Sequence, residues 1–164
     1  APKFFDFKSY SFISNNISEY QNQNPSLYFA IINPEDTNVF ALPIPAYRFN
    51  NVVDIIKKYS CNLALDIANM NSDDLENIFV NKLDDFAPYL ALIYISDKSK
   101  SGATHLLPWE GILKLPQFFK KIRKAGYLRP FSVKLALTKD ELADSDKIEI
   151  ILTKAKEFIE KYWE

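Results

Sequence analysis

The segment between Tyr89 and Leu137 contains the residue types in this chain that are best suited to proton transfer. His105, the only histidine, and the carboxylate Glu110 lie in a polar connection that follows the apolar run YLALIYI. Histidine and glutamate side chains are common general acids and bases. A loop histidine bonded to its neighbours, and a glutamate that orders the loop, are the alternative interpretations. The connection is therefore a candidate active-site loop, and its role depends on which residues the neighbouring strands and helices place beside it.

The composition is typical of a globular protein with a sizeable core. The length of 164 residues predicts one domain over residues 1–164, and 48% of the residues are hydrophobic. A net charge of −1 gives no support for a nucleic-acid or membrane-surface partner. No apolar run is long enough to cross a membrane, and no signal-peptide pattern is present. The single cysteine, Cys61, excludes an internal disulfide and is expected in the core, so we expect a cytoplasmic protein.

Apolar runs of strand length alternate with helical patterns along the chain. Strands are predicted at 26–33, 62–67, 89–95 and 131–137. Helices are predicted at roughly 9–21, 49–59, 73–86, 115–125 and 145–162. Such alternation predicts an α/β fold with a parallel sheet, either a four-stranded doubly wound sheet or part of a (β/α)8 barrel.

Several local signals mark the ends of these elements. Pro116 in the first turn and Gly126 just past the end are typical of a helix over 115–125. Asp73 and Glu76 resemble a capping box, and Asp144 or Ser145 can cap the last helix. The long, proline-containing connection after the first strand is either a site loop or a packing loop.

The carboxyl ends of parallel strands are where α/β proteins bind ligands. Beside the loop that carries His105 and Glu110, this rule selects a set of polar residues at the predicted strand ends. They are Asn33, Asp66, Asn69, Ser96, Asp97 and Lys134. Asp97 directly follows a strand and is expected to bind the amides of the following turn.

Four stretches together resemble a known superfamily. ALIYISD followed by HLLPWEGILKLPQFFKKIRKAGYLRPFSVKL is similar to the C-terminal half of xylose isomerase-like TIM barrels. That superfamily holds sugar isomerases and epimerases together with endonuclease IV. YFAIINPED resembles its strand ending Glu-Asn or Glu-Pro, and LALDIANM resembles its Leu-x-x-Asp-x-x-His-Met. The resemblance spans about residues 26–163 and implies a (β/α)8 barrel related to sugar phosphate isomerases and epimerases, with a small sugar or polyol ligand.

The resemblance also implies a divalent metal (Mn, Mg, Co or Zn) that polarises a sugar carbonyl. Its ligand positions fall on Ile32, Asp66, Asn69, Tyr94 and Lys134. Asp66 is the only retained candidate ligand, and an ammonium replaces a second carboxylate, which opposes a cation. We therefore predict no metal, and no cofactor, unless the family's activity is retained.

The same comparison suggests roles for the remaining polar residues. Asp66 and Lys134 are expected to form an ion pair across the strand ends, in place of the metal. Alternatively, Lys134 acts as a base or carbonyl-binding group beside Asp66, which makes both residues catalytic candidates. The candidate substrate-binding residues are His105, Glu110, Asn33, Asn69, Asp97 and Trp109, of which Trp109 could fill the pocket.

The chain is short for a complete barrel of this type, which needs roughly 250 residues. Its four strand–helix units match half of such a barrel, and three explanations stay open. The chain is a fragment of a longer protein, it pairs with a separate N-terminal half-barrel, or it forms a homo-oligomer. A non-catalytic binding or assembly module is the alternative function. An endonuclease IV-like DNA repair enzyme is disfavoured because one histidine cannot supply a cluster of histidine ligands.

Overall fold

A parallel four-stranded sheet forms the centre of the protein. The computed structural model describes residues 16–17, 19–27, 29–35, 38–39, 42–43, 49–59, 61–70, 75 and 83–163. The strands are β1 (Ala30–Ile32), β2 (Asn38–Val39), β3 (Leu42–Pro43), β4 (Asn62–Asp66), β5 (Leu90–Ile95), β6 (Asp97–Lys98), β7 (Thr104–Leu106) and β8 (Phe131–Val133). The helices are α1 (Phe49–Tyr59), α2 (Leu83–Phe86), α3 (Leu115–Lys124), α4 (Lys139–Leu142) and α5 (Ser145–Trp163). Short 3-10 turns follow β4 and α2, at Ile67–Asn69 and Ala87–Tyr89.

The central sheet has the order β1-β4-β5-β8, and each neighbouring pair is parallel. This confirms the predicted α/β class and parallel sheet. The register places Asp66 opposite Tyr94, and Tyr94 opposite Ser132. Because neighbouring strands share one sense, their carboxyl ends meet at one edge, and the ends of β4, β5 and β8 therefore lie side by side.

One face of the sheet forms the hydrophobic core. Leu63 and Leu65 of β4 and Ile93 and Ile95 of β5 are fully buried. They alternate with residues on the other face, as the period of two in a strand requires. The helices bury their apolar faces in the same core cluster, through Phe49, Val52, Val53, Ile56, Leu115, Phe118, Phe119 and Ile122. The helix predicted at 49–59 is confirmed as α1.

The opposite face carries a mixture of apolar and polar residues. Ile32 pairs with Ala64 in the register, and alternation adds Asp66, Tyr94 and Lys134 to the same face. The Ile32 side of this face is open, with Ile32 at 42% exposure. The candidate site residues Asp66 and Lys134 therefore lie on the face that does not contribute to the main core.

The last two long helices have the ends that the sequence predicts. Pro116 lies in the first turn of α3, and Gly126 follows it with φ +77°, a conformation that glycine adopts without steric cost. Asp144 caps α5 by accepting a hydrogen bond from the Lys147 N–H at 3.1 Å. At the other end of α5, Trp163 packs edge-on against Phe131 of β8, with ring centroids 4.8 Å apart.

Several boundaries differ from the predictions. The polar loop after β5 is an antiparallel hairpin, β6–β7, and the proline-containing connection includes a second ladder, β2–β3. The last strand ends at Val133 rather than at residue 137, because the Ala136 N–H bonds to the His105 carbonyl instead of continuing along β5. The first helix is described at 16–17 and 19–23 only, and the predicted Asp73–Glu76 capping box lies outside the described residues. Within the described ranges, no helix is long and apolar enough to span a membrane.

Candidate functional site at the strand ends

Asp66, the last residue of β4, is the centre of a polar cluster. Its side chain is fully buried. Its Oδ2 lies 2.7 Å from Lys134 Nζ and 3.0 Å from His105 Nε2. Its Oδ1 accepts a hydrogen bond from the Ala68 N–H at 3.2 Å, which caps the 3-10 turn after β4. Both carboxylate oxygens are thus used, and one of them is shared by two basic side chains.

Lys134 reaches Asp66 from the far side of β5. It directly follows β8, and its backbone N–H donates to the Ile95 carbonyl at 3.2 Å, which fixes its position at the sheet edge. Its ammonium also lies 5.7 Å from the centre of the Tyr94 ring. The side chain is 41% exposed, so the ammonium contacts Asp66 on one side and is open to solvent on the other. The ion pair predicted from the sequence is present.

His105 approaches Asp66 from the hairpin β6–β7. It has φ +63°, the only positive φ of a non-glycine residue in the described ranges. Such a conformation is sparsely populated for residues with a side chain and persists where surrounding contacts enforce it. The His105 carbonyl accepts a hydrogen bond from the Ala136 N–H at 2.9 Å, and its imidazole bonds to Asp66. The sequence suggested that His105 lies near a ligand, but not that it contacts Asp66.

Two asparagine side chains hold the backbone beneath this cluster. The Asn33 amide donates to the Asp66 carbonyl at 2.9 Å and accepts from the Asp66 N–H at 2.6 Å. The Asn69 amide donates to the Asn33 carbonyl at 2.9 Å. Both side chains are buried. These predicted substrate-binding residues therefore link the end of β1 to the end of β4, and they position the Asp66 backbone.

Asp97 has a different role in the same region. Its carboxylate accepts hydrogen bonds from the N–H groups of Lys98, Gly111 and Leu113, at 2.8, 2.9 and 2.9 Å. A Cβ at Gly111 would overlap the Asp97 carboxylate and the Lys98 carbonyl, so this close approach requires glycine. The expectation that Asp97 binds the amides of the following turn holds for Lys98, whereas the other two amides belong to the loop after β7. Asp97 ties the loop after β7 to the end of β5.

The other predicted site residues lie outside the Asp66 cluster. The Trp109 ring packs on Phe158 of α5 at 5.8 Å between centroids, and the Glu110 side chain is exposed. Ser96 is fully buried, and its hydroxyl has no hydrogen-bond partner in the described part of the chain. Cys61 is buried as expected, and desolvation raises the pKa of its thiol, which disfavours a nucleophilic thiolate.

The atoms around Asp66 do not fit a divalent cation. Oxygen-rich coordination of such ions needs several carboxylate, carbonyl or imidazole ligands around one point. Here the Asp66 carboxylate already accepts three hydrogen bonds. One of the donors is the Lys134 ammonium, 2.7 Å away, whose positive charge would repel a metal ion. Among the residues that the structure describes, no group of three or more histidine, cysteine or acidic side chains is arranged to hold a metal.

No protein-family model matches this chain, and no curated protein is significantly similar to it. The atoms around Asp66 are therefore the basis for assigning a function.

Proposed function

We propose that this chain is a xylose isomerase-like barrel protein that binds a small sugar or polyol at the ends of β4, β5 and β8 without a divalent metal. One observation carries the proposal. Lys134 Nζ lies 2.7 Å from Asp66 Oδ2, at the strand ends where the resemblance implies a metal ion. The positive charge beside the carboxylate is thus supplied by a lysine side chain rather than by a metal ion.

The chemistry of these side chains suits a ligand rich in hydroxyl or carbonyl oxygens. An ammonium has three hydrogens, and the bond to Asp66 uses one of them. The exposed part of Lys134 can therefore donate to a ligand oxygen. Small-molecule sites commonly combine apolar walls with a few placed polar groups. Tyr94, next to the Lys134 ammonium, supplies an aromatic surface of this kind.

Ligand-observed NMR tests the proposal directly. The full chain is mixed with pentoses, hexoses, their monophosphates and the corresponding polyols, in one series with EDTA and in a second series with Mn²⁺ or Mg²⁺ in place of EDTA. We expect saturation transfer to at least one sugar or polyol, and its loss in Lys134→Met. The matched control is Lys100→Met, which removes an exposed lysine from the β6–β7 hairpin and should leave binding unchanged. Binding that needs added Mn²⁺ or Mg²⁺, or no binding to any of these compounds, would contradict the proposal.

A second candidate function, an assembly module, is favoured by the open side of the sheet. Parallel sheets are generally covered on both faces. Ile32, in β1 on the face opposite the core, is 42% exposed. A second half-barrel, either another copy or a separate N-terminal half, would cover this residue.

Sedimentation equilibrium distinguishes this candidate from the first. A self-assembling chain is a dimer or larger in solution, and Ile32→Asp weakens the association. Ile150→Asp is the matched control, because Ile150 is 54% exposed on α5, away from the sheet. A wild-type chain that stays monomeric at high concentration excludes self-assembly, and an equal effect of both variants excludes the Ile32 face as its interface.

A further inference from the structure

The arrangement of His105 fixes which ring nitrogen carries a proton. A carboxylate only accepts hydrogen bonds, so the Nε2 that lies 3.0 Å from Asp66 Oδ2 must carry the hydrogen. In the neutral imidazole, Nδ1 then has the lone pair. No hydrogen-bond partner is found for Nδ1 in the described part of the chain. A carboxylate that orients a histidine in this way leaves the opposite nitrogen able to accept a proton.

The backbone at His105 has an uncommon conformation. Its φ of +63° is the kind of outlier that clusters at functional sites. The Ala136 N–H holds the His105 carbonyl, and Asp66 holds the imidazole. Asn33 in turn fixes the Asp66 backbone through two hydrogen bonds. The imidazole and the backbone of His105 are therefore each held by a separate hydrogen bond.

Lys134 supplies the complementary group. Its ammonium and the His105 Nε2 share the same oxygen of Asp66, so the two basic side chains lie side by side. The imidazole, in its neutral form, offers a base at Nδ1, and the ammonium has hydrogens left to donate. A positioned base beside a group that stabilises a developing oxyanion is the arrangement needed to remove a proton next to a carbonyl.

We propose that His105 and Lys134 form a metal-free proton-transfer pair that acts on a 2-hydroxy carbonyl compound, an aldose or a ketose. This inference rests on the proposed sugar-binding function and names its chemistry. His105 Nδ1 accepts the proton from the carbon next to the carbonyl. The electron pair of that C–H bond forms the carbon–carbon double bond of an enediolate, and the carbonyl oxygen takes the negative charge beside the Lys134 ammonium.

The return of the proton completes the reaction without any other reactant. Asp66 stabilises the imidazolium that forms at His105, as the shared hydrogen bond allows. Return to the original carbon regenerates the sugar, with a solvent hydrogen if the imidazolium has exchanged. Return to the former carbonyl carbon, with the hydroxyl proton passing between the two oxygens, gives the aldose–ketose isomer. Atoms and charge balance in both cases.

Exchange of the substrate's hydrogen with solvent measures the first step. The full chain is incubated in D₂O with EDTA and with each sugar that it binds, and ¹H NMR follows the signal of the C–H next to the carbonyl. We expect loss of this signal faster than in buffer. Variants that remove either group should slow the loss by about a hundredfold or more, the usual contribution of a general base.

The variants can be chosen so that folding is preserved. His105→Asn keeps a residue that tolerates positive φ and removes the base. His105→Gln also removes the base, and its longer side chain can place an amide nitrogen where Nε2 donates to Asp66. Lys134→Met removes the cation, and Lys134→Arg should restore part of the exchange. Lys100→Met is the control with unchanged exchange. Amide NMR spectra establish that each variant is folded.

The outcomes separate the two proposals. Sugar binding without exchange overturns the proton-transfer pair and leaves the proposed binding function intact. Exchange that persists in His105→Asn, or that requires an added divalent metal, also overturns the pair. The absence of any sugar binding overturns the proposed function and this inference together.

Discussion

Replacing Asp66 by asparagine tests how much of the fold depends on the buried carboxylate. The variant keeps the shape of the side chain and an oxygen that can accept from the Ala68 N–H. It removes the negative charge that Lys134 and His105 share at 2.7 and 3.0 Å. With the amide oxygen at the Oδ1 position, both donors meet an amide NH₂ group at the Oδ2 position rather than an acceptor.

The expected loss follows from the burial of each partner. A hydrogen bond to a buried charged group contributes about 1.5–3 kcal/mol. The Lys134 side chain is 41% exposed, so water can solvate its ammonium again, and its share falls to at most about 1 kcal/mol. His105 is only 18% exposed and retains the larger share. We expect Asp66→Asn to lower the free energy of unfolding by about 2–3 kcal/mol, which is roughly 4–12 °C in Tm for a chain of this size.

Urea unfolding followed by circular dichroism measures this difference. Asp85→Asn is the control, because Asp85 pairs with Lys57 at 3.3 Å between side chains that are 59% and 38% exposed. Such a surface pair contributes less than about 1 kcal/mol. A double-mutant cycle with Lys134→Met should give a coupling of about 1 kcal/mol. If Asp66→Asn costs no more than Asp85→Asn, the carboxylate is not the structural centre of the site.

Three further predictions concern other parts of the chain. Gly111→Ala should cost about 1–3 kcal/mol of stability in urea unfolding, because its Cβ overlaps the Asp97 carboxylate; an unchanged midpoint would show that the loop moves away freely. The pKa of Glu141 is lowered by the Thr138 hydroxyl and backbone N–H that bond to it, so Thr138→Ala should raise this pKa toward its usual value in an NMR titration. The stabilisation from this bond is present above the usual glutamate pKa and is lost as pH falls through the lowered one; a titration that the variant leaves unshifted contradicts this cause. Cys61, buried and with a raised pKa, should react with a thiol reagent far more slowly in the native protein than in urea, and equal rates would place it at the surface.

Strands and helices that are marked by a local sequence pattern, such as an apolar run or a proline and a glycine at the two ends, were predictable from the sequence. The core strands β4 and β5 are nearly continuous apolar runs, which is typical of buried parallel strands. The ends of α3 are marked by Pro116 and Gly126, whose backbone preferences are strong. The hairpin β6–β7 was not predicted, because its strands of two and three residues are too short to show alternation. The short helix α4 was missed for the same reason, although Thr138 and Glu141 form its capping box.

The site depends on pairings that are distant in the sequence, and these were predictable only in part. Lys134 and Asp66 are 68 residues apart in the sequence. Asp66 is the last residue of β4 and Lys134 directly follows β8, so the parallel order of the strands predicts that they lie at the same edge of the sheet. His105 is 39 residues from Asp66 and reaches it only because its φ is +63°. Histidine, like asparagine and aspartate, is enriched at positive φ, but a non-glycine residue with positive φ is uncommon, so the sequence THL does not predict it here.

The contrast between these two contacts bears on the origin of the His105 conformation. Lys134 follows a strand and has a negative φ, so formation of the sheet is enough to place it beside Asp66. His105 has a less favourable backbone conformation, and its ring would turn away from Asp66 if the residue relaxed to negative φ. Replacing His105 by glycine would remove the conformational cost and the ring together, whereas His105→Gln keeps the conformational cost and can keep a donor to Asp66 at the Nε2 position. If the strain serves the Asp66 contact, the order of stability should be His105→Gln above His105→Ala, since both variants carry the conformational cost and only glutamine can keep the bond. The reverse order would mean that the hairpin β6–β7 imposes the conformation by itself, and that the imidazole only occupies the space that the hairpin leaves beside Asp66.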